Sequence, residues 1–335
     1  MKKRGGLRIE MSKKSSGNLL NQKDIEILKE DNYKIIRIDL DGDAPKQFIK
    51  AYFFTPNSTV RKSKSSSWIP YIAKTAEKYY PHESVIEFMI NRIGQVLGLY
   101  MNDIKLVNAN GQIRFLSRYF KHKNERLVHG AEICGEYLED YELAKEIANN
   151  KSNSRELFTF EFIKDAIRNV YPDCFEDLTL ELIRMISFDA IVGNNDRHFY
   201  NWGVIDTLKK TTKLPTFAPI FDSARGLLWN ESDEQIIHTI KTQKQGSKKL
   251  ENYILNACPR ISTVENTKAN HFELIEFLKS YSREYKQIID EMTCLENENR
   301  VLETIEKEFK KHFIPERFSL TTQIIKSRFE TIRKI

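Results

Sequence analysis

Cysteine is scarce: four residues in 335, at Cys134, Cys174, Cys258 and Cys294, with no C-x-x-C pair among them. That scatter excludes a disulfide framework or a cysteine-based zinc site and fits a reducing, cytoplasmic setting. Glycine is thin as well, and no glycine-rich phosphate loop can be picked out. No apolar run approaches the ~20 residues that span a bilayer. The start, MKKRGGLRIEMSKKSSGN, is basic but lacks the apolar stretch of an export signal. A dominant charge of one sign is missing too, since 53 Lys and Arg stand against 47 Asp and Glu, a net of +6. Basic clusters occur at Lys2–Lys14, Arg61–Lys64 and around Lys310, Lys311, Arg333 and Lys334. Without interleaved aromatics they read as solvated surface rather than a nucleic-acid interface.

What remains is an ordinary globular composition, 40% hydrophobic and 30% charged, on a chain long enough for two lobes. No internal repeat is visible. YKIIRIDL (33–40) and KQFIKAYFF (46–54) predict a hairpin turning at Asp41-Gly42. A loop rich in serine and basic residues follows, then a short strand, WIPYIAK (68–74). SVIEFMINRIGQVLGL (84–99) has helical apolar spacing and Gly98 as its stop. DIKLV and IRFLSRYF predict a second hairpin around Asn110-Gly111. Beyond Phe120 helices are expected over 157–168, 178–192 and from His271 onward, interrupted by a hairpin of NWGVIDTL (201–208) and TFAPIFDS (216–223). The helical tail is expected to complete the core of the second lobe.

One junction concentrates polar chemistry: VGNNDRHFYNWGV, residues 192–204. Asp196 and Asn201 stand in D-x-x-x-x-N spacing, which protein kinases use to place a hydroxyl-orienting carboxylate beside a neutral magnesium ligand. Magnesium, a hard cation, also wants a carboxylate. Asp222 supplies one, because the hairpin that starts near Asn201 returns the chain to FAPIFDS. Read blandly, Asp196 caps a turn and Asn201 shapes a loop. His198 reads as a brace of that loop, and Arg197 pairs with either a carboxylate or a phosphate.

Phosphoryl transfer also needs a lysine at the nucleotide. Lys74 ends its strand and follows the serine loop 55–67, which is suited to covering phosphates. Lys50 is the rival, but the turn before it carries Asp41 and Asp43, which repel a triphosphate. Lys74 is therefore preferred, with an unremarkable surface lysine as the alternative for both. Its acidic partner is Glu87, with Glu83 second; Ser84-x-x-Glu87 is equally a capping box, so both roles stay open.

Taken in order, YIAK, ESVIEFMINRIGQVLGL, IRFLSRYF, DAIVGNNDRHFYNWGVI and FAPIFDSARGLLWN (roughly 68–230) resemble the HipA-like serine/threonine kinases, a bacterial family. The resemblance implies an α+β, bilobal, protein-kinase-like fold. A small mixed lobe would occupy 1–120 and a larger, mainly helical lobe 121–335. It implies Asp196 as the catalytic aspartate, Asn201 and Asp222 as magnesium ligands, and Lys74 as the ATP lysine. Ser117 to Phe120 would form the hinge, with Tyr119 near the adenine. It further implies a toxin or effector kinase using ATP and Mg²⁺ on a protein substrate, such as a translation protein, with a DNA-binding antitoxin as partner. TVRKSKSSSW stands where the family has a short phosphate loop whose serine can be autophosphorylated, so Ser65, Ser66 or Ser67 is the expected counterpart. A phosphoinositide or small-molecule kinase and a binding-only pseudokinase are the alternatives.

Overall fold

The computed structural model describes residues 15–38, 46–56, 58–76, 79–209, 212–243 and 248–335. The first part of the chain gives β1 (Glu26–Ile27), β2 (Tyr33–Ile36), β3 (Lys46–Ala51), β4 (Ile69–Lys74), α1 (His82–Val96), β5 (Ile104–Ala109) and β6 (Gln112–Arg118). Its strands make one six-stranded sheet in the order β1-β5-β6-β4-β3-β2. The expected pairing of β2 with β3 is present, whereas the Asp41-Gly42 turn lies outside the described residues. The β5–β6 hairpin turns at Asn110 and Gly111, both with positive φ (53° and 72°), as the tight turn of a twisted hairpin requires.

Alternation along these strands sorts side chains between two faces. Ile49, Ala51, Tyr71, Ala73, Val107 and Leu116 bury together as a small core. The opposite face carries Lys46, Phe48 and Lys50 of β3 and Ile72 and Lys74 of β4. Phe115 and Ser117 of β6 share it, because Lys46 and Phe115 pair with Lys74 while Ser117 pairs with Ile72. That second face is the roof of a cleft.

The rest of the chain is mainly helical. It runs through β7 (Glu125–His129), α2 (Gly130–Leu138), α3 (Tyr141–Asn149), α4 (Lys151–Leu157), α5 (Phe160–Val170), α6 (Phe175–Val192), β8 (Gly203–Thr207) and β9 (Thr216–Phe217). It ends in α7 (Asp233–Gln243), α8 (Lys248–Asn256), α9 (His271–Tyr281), α10 (Arg283–Met292), α11 (Leu295–Phe309) and α12 (Pro315–Lys334). Strands β7, β8 and β9 form a small antiparallel sheet in that order. Helix α6 is buried along nearly its whole length and stops at Gly193, whose φ of 66° suits glycine and turns the chain into the polar junction. Gly203 is needed for a different reason: a Cβ there would lie 2.2 Å from the Val128 carbonyl oxygen on the paired strand.

The helical tail packs on elements from both parts of the chain. Helix α12 packs on α6 and α7, but α11 packs on α1 in the first part of the chain. Phe88 meets Phe309 at 5.8 Å between ring centres, and Arg92 forks onto Glu308 at 2.8 and 2.9 Å. The main apolar core accordingly runs from Val85, Met89 and Ile93 of α1 through α6 to Ile324 and Phe329 of α12. Charged residues on α11 conceal this docking in the sequence, because only its narrow apolar stripe carries the signal.

Candidate active site

Three charged side chains from distant points meet in the cleft. The Lys74 ammonium lies 2.7 Å from Asp222 Oδ1 and 3.3 Å from Glu87 Oε1, and both lysine and glutamate are largely shielded from solvent. Glu87 reaches the lysine from the second turn of α1. The helix begins at His82 with Pro81 as its cap, so Ser84 and Glu87 do not form the N-terminal box. Glu83 instead accepts a bond from the Tyr79 backbone N–H at 3.2 Å, one helical turn before Glu87. Asp222 arrives with φ of 55° after a short crossing. The Ile220 N–H donates to the Tyr100 carbonyl at 2.7 Å, and its own carbonyl accepts from Asn102 at 3.0 Å. Those bonds fix the chain just before Asp222 beneath the sheet.

Electrostatics follow from this triad. Burial would lower the Lys74 pKa, but Asp222 and then Glu87 more than reverse that and hold it above its ordinary value. Desolvation would raise Asp222, and the Lys74 charge overrides it, so its carboxyl titrates below the usual range. Burial dominates at Glu87 and, despite the lysine, pushes it up to about 7. A raised folded pKa favours the protonated state, so that stability is full below the unfolded value of 4.5 and is lost as pH rises through about 7. Melting temperatures measured across pH 4.5 to 7 should therefore fall in the wild type relative to Glu87→Gln. Parallel curves would show that Glu87 titrates as an ordinary exposed acid.

The polar junction is organised around Arg197, which is 1% exposed. Its Nε and Nη2 donate to the two carboxylate oxygens of Asp189 on α6 at 2.8 and 2.7 Å. Nη1 donates to the backbone carbonyls of Phe221 at 2.7 Å and Asn201 at 3.4 Å, and Nη2 to Ser223 Oγ at 2.9 Å. Between the carboxylate and phosphate readings of Arg197, the geometry selects the carboxylate. One guanidinium thus joins α6 to Asn201 and to the backbone beside Asp222, across a β8–β9 pairing of only two residue pairs. His198 accepts the Tyr200 N–H on Nδ1 at 3.2 Å and stacks on that ring, as a loop brace does.

Asp196 lies on the same loop, about a third exposed at 34%. Two donors of Arg260 reach its Oδ1, Nε at 2.8 Å and Nη2 at 2.6 Å, while Arg225 stands 3.8 Å from Oδ2. Neither arginine, nor Asp189, nor Lys46 opposite Lys74 stood out in the sequence. Asp189 did leave a trace, a lone acid inside the apolar run of α6. Arg260, 64 residues past Asp196, left none.

Above the triad, Ile104, Phe115 and Ser117 face Phe221, Asp222 and Ser223 across the cleft. Ser117 Oγ accepts from Asn102 at 2.7 Å, Tyr119 meets Phe48 edge-on at 5.3 Å, and Phe120 packs on Phe221 at 5.5 Å. The segment from 117 to 120 therefore borders the cleft. Other expected residues are not brought together. Lys50 pairs with Pro70, four residues or ~13 Å along β3 from the Lys74 row. Ser65–Ser67 form a helical turn just before the opposite end of β4, whose first residue, Ile69, pairs with Ala51 and lies five residues or ~17 Å along the strand from Lys74. Ser65 accepts a bond from Lys34 at 2.8 Å, and Ser67 donates to the Lys64 carbonyl at 2.7 Å. Antiparallel pairing instead puts Lys46, the first residue of β3, opposite Lys74.

Among the described residues no cluster of three His, Cys, Asp or Glu side chains could hold a metal unaided. Asn201 and Asp222 offer oxygen donors of the kind magnesium takes when phosphates and water complete its shell. Among the described residues no helix is long and apolar enough to cross a membrane.

The model of the HipA-like C-terminal domain family matches residues 38–298. No curated protein matches the sequence. The structure is similar to that of the Helicobacter pylori proinflammatory kinase CtkA, with a TM-score of 0.68 at 16% identity over 90% of this chain and 94% of that one. The fold is thus the kinase-like α+β fold of that protein. HipA of Shewanella oneidensis MR-1, solved with HipB and operator DNA, matches at a TM-score of 0.46 and 13% identity over 79% of this chain and 58% of that one.

Proposed function

We propose that this chain, which belongs to the HipA-like family, is an ATP- and Mg²⁺-dependent serine/threonine protein kinase. The observation that carries the reading is the Lys74–Glu87–Asp222 triad, set beside a loop that presents Asp196 and, through Arg197, holds Asn201 next to Phe221 and Asp222. A fold shared with a protein described as a kinase supports it.

In this proposal Lys74, oriented by Glu87, binds the nucleotide phosphates as a fixed positive charge. Asn201 and Asp222 would hold magnesium, whose charge would offset that of the phosphates. Asp222 sits on Lys74, so that ion pair would have to part for the two residues to serve these separate roles. Asp196 orients the acceptor hydroxyl and takes its proton. Ile104 and Phe115 form an apolar roof for the base, and the 117–120 backbone lies where it can meet its edge.

Incubation with γ-labelled ATP and a cell lysate tests the reading. Labelled Ser or Thr in protein is expected. Label only in lipid would favour a lipid kinase, and absence of all transfer would favour a binding-only pseudokinase. Asp222→Ala is expected to weaken binding of a non-hydrolysable ATP analogue roughly 10- to 100-fold in Mg²⁺, the effect of one lost charged contact. With EDTA present the wild type and variant should converge. A variant titrating like the wild type in Mg²⁺ would remove Asp222 from the metal site.

A further inference from the structure

We propose that the segment between α8 and α9 belongs to the active site, where Arg260 acts as a positioning residue for Asp196. The inference rests on the kinase reading above. Its geometry is specific. Both nearby donors of Arg260 converge on Oδ1 of Asp196, which fixes the carboxylate's rotation and leaves Oδ2, with Arg225 no nearer than 3.8 Å, to face an acceptor. Carboxylate torsions are otherwise broad, and a misdirected oxygen of a base is costly, because a displacement of ~1 Å lowers rates by about 10²-fold.

The segment is built to hold that arginine still. Arg155 of α4, 8% exposed, donates to three of its backbone carbonyls, at Pro259, Thr267 (3.1 Å) and Ala269 (2.9 Å). Ser262 donates back to the Arg155 carbonyl, and the Ser262 carbonyl accepts the Phe160 N–H at 2.9 Å. Lys151 joins the two parts of the site directly, donating to Asn195 in the catalytic loop at 3.0 Å and to Cys258 in the segment at 3.4 Å.

Arg260 uses its donors differently from Arg197. Arg197 uses five hydrogen bonds to satisfy its buried guanidinium. Arg260 leaves Nη1 enclosed without a partner among the described residues and commits its other donors to one oxygen of a partly exposed acid. An enclosed, unpaired donor costs stability. Arg317 and Arg328 each leave one such donor too, so what sets Arg260 apart is its target, the partly exposed Asp196 carboxylate.

The test compares wild type, Arg260→Ala and Arg260→Lys in γ-labelled ATP transfer to dephosphorylated casein. Arg260→Ala should lower kcat about 10²-fold while KM for Mg·ATP and the melting temperature stay near wild type. Arg260→Lys should restore part of the loss, as should added guanidinium with Arg260→Ala. In an Asp196→Asn background, Arg260→Ala should cost nothing further, because the arginine acts through that carboxylate. Equal losses in kcat and nucleotide binding, additive losses in the double variant, or unchanged kcat would overturn the proposal. Raised activity would also overturn it and mark the arginine as an inhibitory clamp. A wild type that transfers no phosphate fails the kinase reading, and this inference with it.

Discussion

Asp196→Ala is expected to bind Mg·ATP as the wild type does and to transfer phosphate about 10³-fold more slowly. The separation follows from how the site divides. Nucleotide-side charges belong to Lys74, Glu87 and Asp222. Asp196 makes its ion pairs with Arg260 and Arg225, on the acceptor side of the loop. Removing one carboxylate there takes nothing away from the phosphates. It leaves two arginines partly uncompensated, so nucleotide affinity should hold steady or rise slightly. Stability should change little, since Asp196 is partly exposed and solvent-screened pairs contribute about 1 kcal/mol or less. Calorimetric titration with a non-hydrolysable analogue gives the affinity, and single-turnover transfer gives the rate. Affinity lost together with rate would make Asp196 a structural residue. Transfer persisting within tenfold would assign the proton to another group.

Legibility in the sequence tracked the distance over which each signal acts. Strands β3 to β6 and helix α1 follow from apolar period and turn residues, which are local, and the structure has them. The hairpin logic brought Asn201 and Asp222 to one neighbourhood, though by a weaker route than expected. The ladder holds only Val204–Phe217 and Ile205–Thr216, and the remaining return is made by Ile220 bonding to the chain at Tyr100 and Asn102. The Ser65–Ser67 turn stands away from Lys74 for a physical reason. It precedes Lys74 by a few residues, but a strand intervenes, and an extended strand carries its two termini to opposite ends of the sheet. Contacts such as Asp196–Arg260 or Arg92–Glu308 join residues 64 and 216 positions apart, and no periodicity encodes them. Asp189 is readable in principle, since an acid within a buried helix needs a cation.

That buried pair carries the largest expected effect on stability. Arg197→Ala removes five hydrogen bonds and strands the Asp189 carboxylate, 3% exposed, with Asn194 Nδ2 at 2.9 Å as its remaining side-chain donor among the described residues. Breaking one side of a buried ion pair costs about 3–5 kcal/mol, which here means a melting temperature lower by roughly 5–10 °C. Arg197→Lys should recover little of it, because an ammonium cannot fork onto both oxygens of Asp189 while also reaching the Phe221 carbonyl. The double variant Asp189→Leu/Arg197→Met should be more stable than either single one, since no charge is then left buried alone. Activity separates a second role from this one. The same guanidinium ties Asn201 to Phe221, so the apolar pair restores folding without restoring that tie. The double variant is therefore expected to melt near the wild type and still bind Mg·ATP weakly. Recovery of both properties together would show that Arg197 serves the fold alone.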